Sequence, residues 1–374
     1  MTGLLKDTFT EEAEAIGDPH LDLDAIVRTG KRRLKRRKLA KVFTSVAASA
    51  VVVAGGLTAA VHFGSDRGVE VSNSGPFAER RPTWADGKEI HFGAEVIRVP
   101  AAIASFVQTN EAFVFTTKDG GVYRVGADGA TQIGKGSKNH RLAADADHSV
   151  VGWVDATRLV PEFVVYNLVA DQEVVRTGAG NRYDNPQANP SLRVAAIDDG
   201  IAYFGAMDGL RRWNLATGVG ELIKPKVKPT FLVAAEAGQF VWENPVDDDV
   251  DMALGSDVNA AAPAHFSGWR GTLSPGARYL LTDKADTVGV VDVRSGKNAV
   301  LTIPGYLLIA PTQWKDEHTF YAVGFRSEET ARLDLLTCAI KSATKTTCQV
   351  SLSEFAPPLT NKSTTQFPIG FPMN

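Results

Sequence analysis

Residues 111–129 read EAFVFTTKDGGVYRVGADG. A short apolar run (111–115) meets a turn at Lys118-Asp119-Gly120, a second run follows at 122–125, and Ala127-Asp128-Gly129 turns the chain again. Glycine tolerates positive φ, so Asp-Gly steps between apolar runs mark β-hairpins. The scheme returns at 201–204, Asp208-Gly209, 210–213 and Ala216-Thr217-Gly218. It returns once more after residue 279, with turns at Lys284-Ala285-Asp286 and Arg294-Ser295-Gly296 around a run at 288–293. Helical periodicity is nearly absent from residues 88–374, which therefore read as all-β.

The spacing narrows the architecture. Corresponding apolar runs centre on Phe113, Val151, Ala202, Phe240, Tyr279 and Phe320, at intervals of 38, 51, 38, 39 and 41 residues. The long interval holds a Gly/Asn/Pro-rich insertion from Gly178 to Pro190. Turn signals every 8–12 residues also fit a sandwich, but a superperiod near 40 with about four strands per unit fits propeller blades. Six blades are the favoured count, with seven the alternative. The strand-like stretch 89–99 lies outside the six units and either completes the terminal blade or contributes to a seventh.

The stretch Ser274-Pro275-Gly276-Ala277-Arg278-Tyr279-Leu280 resembles the SPDGR-type motif that leads into a strand in WD-repeat and TolB-type propellers. Asp292-Val293-Arg294-Ser295-Gly296 and Asn214-Leu215-Ala216-Thr217-Gly218 resemble their D-x-x-T/S-G turns, the second with Asn in place of Asp. Ala144-Asp145-Ala146-Asp147-His148 and Ala235-Glu236-Ala237-Gly238 only approximate the SPDGR motif. The whole layout resembles membrane-anchored propeller proteins of high-GC Gram-positive bacteria. Their genes sometimes accompany extracytoplasmic sigma factors, and their functions are mostly unassigned. The resemblance implies a fold, not a chemistry.

Ahead of the β-rich part stand twenty uncharged residues, VFTSVAASAVVVAGGLTAAV at 42–61. As a helix they would span roughly 30 Å, the thickness of a bilayer's hydrocarbon core. A basic run precedes them: Lys31, Arg32, Arg33, Lys35, Arg36, Arg37 and Lys38. A polar, near-neutral stretch, GSDRGVEVSNSG, follows at 64–75. Positive charge stays on the cytoplasmic side, which predicts one transmembrane helix over 39–63 with the N-terminus inside. A cleaved signal peptide fits poorly behind so long a leader, and Arg36-Arg37-Lys38-Leu39 lacks the usual surroundings of a twin-arginine signal. The sequence thus divides into a cytoplasmic tail (1–38), partly helical in pattern and basic at its end, the helix (39–63), a linker (64–87) and an extracytoplasmic propeller (88–374). The lipid bilayer is the partner of residues 42–61. The tail is too short for a core and reads either as a plain solvated leader or as a docking peptide for a cytoplasmic regulator.

The net charge of −3 conceals an asymmetry. Residues 1–41 carry 10 basic and 7 acidic side chains, whereas residues 42–374 carry 30 and 36, a net of −6. Phosphate affinity depends on clustered Lys and Arg, so nucleic-acid binding is set aside.

Cys338 and Cys348 are the only cysteines and flank AIKSATKTT. Apolar runs on either side make this a hairpin with the two thiols facing each other. Outside the cell they are expected to form a disulfide worth on the order of 2–3 kcal/mol, pinning the blade that closes the ring. Two buried free thiols, or a metal pair lacking further ligands, are the competing readings.

No catalytic, cofactor-binding or metal-binding set is readable. Residues 129–136 (GATQIGKG) miss a phosphate-binding loop by placing Gly136 where Ser or Thr must ligate magnesium. Asp247, Asp248, Asp249 and Asp251 are dense but lack the spacing of a calcium loop. Asp145, Asp147 and His148 sit where Asp shapes a turn, and Trp153, Trp213, Trp242 and Tyr279 sit within strands as core. Tyr183, Asp184, Asn185 and Gln187 in the long insertion form the candidate recognition loop, because loops project from the ring. The expectation is a binding module for an envelope ligand or protein partner, with a signalling role open. The alternative is a hydrolase, lyase or lactonase acting at the propeller axis.

Overall fold

The computed structural model describes residues 75–178, 192–206, 208–225, 231–246, 249–260, 262, 264–267, 271–284, 287–326, 332–357 and 363–372. Among them the strands form seven four-stranded antiparallel sheets, the blades of a propeller. Blade 2 shows the pattern: β4 (Ile103–Gln108) at the axis, then β5 (Phe113–Thr117), β6 (Gly121–Gly126) and β7 (Gly129–Lys135) outward. Blade 3 is β8 (Ala143–Asp145) to β11 (Gln172–Gly178), by way of β9 (Val150–Asp155) and β10 (Glu162–Asn167). Blade 4 is β12 (Arg193–Asp198), β13 (Ile201–Ala206), β14 (Gly209–Asn214) and β15 (Val219–Pro225). Blade 5 is β16 (Phe231–Glu236), β17 (Gln239–Val246), β18 (Asp249–Gly255) and β19 (Ala264–Ser267). Blade 6 is β20 (Gly271–Leu273), β21 (Tyr279–Lys284), β22 (Thr287–Asp292) and β23 (Asn298–Leu301). Blade 7 is β24 (Leu308–Trp314), β25 (Thr319–Phe325), β26 (Leu333–Ser342) and β27 (Lys345–Ala356).

Blade 1 has a different origin. Its outer three strands are β1 (Thr83–Asp86), β2 (Glu89–Phe92) and β3 (Glu95–Arg98), and its inner strand is β28 (Thr365–Gln366) from the far end of the chain. Ala85 faces Gln366 and Asp86 faces Thr365 across the closure. The ring therefore has seven blades, not the favoured six. The six apolar centres are the second strands of blades 2–7. The seventh blade is stitched from two ends of the chain, so it leaves no contiguous 40-residue unit. Its second strand, residues 83–86, falls among residues expected to be linker.

Second strands stand out in sequence because neighbouring blades cover both of their faces. Every residue of β5 and β9 is buried, whereas the outer strand β7 is mostly exposed. An apolar cluster fills each junction between neighbours. Phe163 of blade 3 stacks on Phe204 of blade 4 at 4.6 Å, and Phe92 of blade 1 meets Phe113 of blade 2 edge-on at 5.5 Å. Burying such rings removes apolar area from water at roughly 25 cal/mol per Å².

Cys338 and Cys348 are directly opposed on β26 and β27 and are joined as a disulfide. The bond ties the two outer strands of blade 7. It does not pin the closure, which lies at β28 and β1 in blade 1. Among the described residues no helix is long and apolar enough to cross a membrane. The expected anchor at 42–61, the cytoplasmic tail and the basic run lie outside the described residues.

Candidate functional site at the propeller axis

In blades 2–7 the turn from the first to the second strand falls at the same end of the inner strand, so these turns line one mouth of the ring. Three consecutive inner strands end on an acid: Asp145 on β8, Asp198 on β12 and Glu236 on β16. The turns that follow are tight. Asp199 and Gly200 have φ of 46° and 72°, and Ala237 and Gly238 have 49° and 73°, the paired positive values of a type I′ hairpin.

Two of these acids reach the next blade, and the third bonds within its own turn. The Asp198 carboxylate accepts from the Ala237 amide (3.2 Å) and the Gly238 amide (3.4 Å), and Glu236 Oε1 accepts from the Gly276 amide (3.0 Å). In blade 3, Asp145 Oδ1 accepts from the His148 amide (3.1 Å), while its Oδ2 lies 2.8 Å from His148 Nδ1. The far ring nitrogen of His148 lies 3.8 Å from Asp199 Oδ1 of blade 4.

Burial and mutual repulsion perturb this arc. Burial, reinforced by the charges of Asp198, Asp145 and Asp147, pushes Glu236 up to about 7 against the Gly276 hydrogen bond. Burial also raises Asp198, with Asp145 and Asp199 adding to the push and the Ala237 and Gly238 amides opposing it. A carboxyl held near neutrality beside other acids is a usual mark of functional sites.

Residues 75–82 lie as a strap on this mouth. The Phe77 amide donates to the Asn110 carbonyl (3.0 Å), Gln108 Nε2 donates to the carbonyls of Phe77 (2.8 Å) and Glu79 (3.1 Å), and the Tyr321 hydroxyl donates to the Arg80 carbonyl (3.0 Å). Arg80 Nη1 donates to the Phe77 carbonyl (2.7 Å) and Nη2 to Asn110 Oδ1 (2.8 Å). Burial lowers the Arg80 pKa, while the charge of Asp147 works the other way.

A buried arginine stands at the other end of β12. Arg193, the first residue of β12, is 8% exposed and donates to the Leu232 carbonyl at 2.9 Å. Burial draws its guanidinium down to about 10, with Arg141 adding to the effect and Glu243 opposing it.

The residues singled out from the sequence divide accordingly. Asp145 and His148, read as turn formers, do shape their turn and also belong to the acidic arc. Trp153, Trp242 and Tyr279 are core, and Trp213 packs against a core cluster. Residues 129–135 form the outer strand of blade 2. Tyr183, Asp184, Asn185 and Gln187, in the connection from β11 to β12, lie outside the described residues, and so do Asp247 and Asp248, between β17 and β18. Among the described residues no three His, Cys, Asp or Glu side chains are placed to share a metal ion. Sequence reasoning missed Asp198, Glu236 and Arg80. A signal was present for two of them: Ala143-Ala144-Asp145, Ala196-Ile197-Asp198 and Ala234-Ala235-Glu236 repeat an apolar pair and an acid before a turn.

No family model matches the chain, and no curated protein matches it. Among solved structures, TolB from Acinetobacter baumannii is 13% identical with a TM-score of 0.41, covering 78% of this chain and 81% of that one. A chain of the mitotic checkpoint complex is 10% identical with a TM-score of 0.47, covering 86% and 91%. An oligogalacturonate lyase crystallised with manganese is 8% identical with a TM-score of 0.42, covering 71% and 82%. These likenesses concern the fold. What the strands themselves establish is a seven-bladed β-propeller.

Proposed function

We propose that this protein is a membrane-anchored, extracytoplasmic binding module that meets an envelope ligand or protein partner at its acidic mouth. The anchor is the uncharged stretch 42–61, and residues 1–38 lie in the cytoplasm, where a regulator could read the bound state. One observation carries the choice of surface: turns from three successive blades bring Asp145, Asp198 and Glu236 into one arc, in which neighbouring carboxylates add to the upward push of burial on Asp198 and Glu236. Rigid strands fix these turns, so the arc is pre-organised for recognition.

The test is site-specific cross-linking in intact membranes. A benzophenone side chain replacing Asp147 or Asp199, both exposed on the mouth, is expected to give a discrete adduct. The same group replacing Val300, 53% exposed on the outer strand of blade 6, should not. Adducts that form equally from the rim would remove the mouth from consideration. Protease added to sealed cells should cut the propeller and spare residues 1–38, and the reverse result would invert the topology.

Glu236 favours a second reading, in which a carboxyl poised near pH 7 serves as general acid–base in a hydrolase, lyase or lactonase. Turnover of lactones or glycosides with an inflection near pH 7, lost in Glu236→Gln, would favour it over the binding role.

A further inference from the structure

After Gln366 the chain does not stop at the closure. Phe367 is fully buried among Trp84, Tyr321, Val323 and Leu335, between blades 1 and 7. The chain then reverses, with the Ile369 amide donating to the Phe367 carbonyl (2.8 Å), and makes a single antiparallel bridge to β4, pairing Ile369 with Val107. The Gly370 amide donates to the Phe106 carbonyl (2.9 Å), and the Leu142 amide of blade 3 donates to the Gly370 carbonyl (2.7 Å). Residues 369–371 therefore occupy a groove between the inner edges of blades 2 and 3.

We propose that this groove is a peptide-binding site and that residues 369–371 are its built-in, displaceable occupant. The groove offers one carbonyl and one amide in strand-addition geometry, which is how extended peptides are held by main chain. Its side-chain requirement is explicit. Gly370 has φ of 75°, and a Cβ there would meet the Leu142 carbonyl oxygen at 2.2 Å and Val107 Cγ1 at 3.1 Å. The Arg141 guanidinium lies 6.0 Å from the centroid of the Phe371 ring, which favours an aromatic next in line. The preferred ligand is a short apolar segment with glycine, in the left-handed conformation, at the tight position and an aromatic after it.

Displacement is built into the segment. Phe367 is a fixed anchor, Pro368 has no amide to bond, and Pro368, Ile369 and Phe371 are only half-buried. A tethered occupant competes at high effective concentration, so a partner peptide enters only by outbinding it. This holds whether or not the acidic mouth binds anything.

Two measurements on the full-length protein in detergent test the proposal. In native-state hydrogen exchange, the Gly370 and Leu142 amides are expected to exchange at least 100-fold faster than those of Val151 and Phe320. Exchange at the rate of global unfolding would make the segment a permanent latch and overturn the proposal. Second, a fluorescent peptide of residues 365–374 should bind the Gly370→Val chain at least tenfold more tightly than the unaltered chain. The same peptide carrying the Gly370→Val change should not bind. A folded Gly370→Val chain that ignores the unaltered peptide would also overturn it. Should that variant not fold, the exchange measurement decides alone.

Discussion

Glu236 lies at the end of an inner strand, accepts an amide from a neighbouring blade, and still holds its proton to about pH 7. Its folded pKa is raised, so in the unfolded chain it ionises near pH 4.5 and in the native protein only near 7. Between those values the native state binds more protons, and this group's contribution to stability falls as pH rises through the window. Glu236→Gln keeps an acceptor for the Gly276 amide and removes the charge. It should raise stability at pH 8 by on the order of 1 kcal/mol, a few degrees in Tm, and change little at pH 4. Scanning calorimetry at the two pH values checks this, and equal effects at both would assign the gain to packing. The position was half legible in the sequence. Its repeat with Asp145 and Asp198 could be read, but the partner amide is forty residues away in the next blade, and one sequence does not say which turns become neighbours.

At the scale of the strand, legibility tracked coverage. Strands β5, β9 and β13 announced themselves because apolar side chains are required on both faces. Outer strands did so poorly, since β27 is exposed over most of its length. The β26–β27 hairpin holds two local devices with separate consequences. Replacing both Cys338 and Cys348 by Ser should cost about 2–3 kcal/mol and speed exchange of the amides around them, while blade 1 stays closed. Loss of the whole ring would instead give the bond the closing role first expected of it. Asp334, 1% exposed, accepts from the Tyr306 hydroxyl (2.7 Å), Arg326 Nε (2.6 Å), and the Glu354 amide (2.7 Å), where Glu354 has φ of 50°. Against the upward push of burial, these donors hold its carboxyl below the usual value. Asp334→Ala should therefore cost about 2–4 kcal/mol at pH 7 by orphaning them. A depressed pKa means that this contribution is present above about pH 4 and lost as pH falls further, so the penalty should shrink in acid. Urea titrations at the two pH values would show it.

The blade count escaped the sequence for a reason that exists only at the level of the whole ring: the blade that closes a circular array is shared between the chain's two ends. Strand β28 is two residues long, so Phe367 beside it supplies much of the closure. Phe367→Ala is expected to cost about 3–5 kcal/mol and to lower the single thermal transition of all seven blades together. Two separated transitions would show that the blades do not unfold as one unit. The strap has a consequence for load. Residues 75–82 are fastened to blade 2 through Asn110 and Gln108 and to blade 7 through Tyr321 before the chain enters β1. Tension applied from upstream is thus divided across three blades, and the Asn110 and Tyr321 fastenings must yield before β1 can be peeled from β28. The ring's shortest strand pairing is mechanically shielded by the segment that pulls on it.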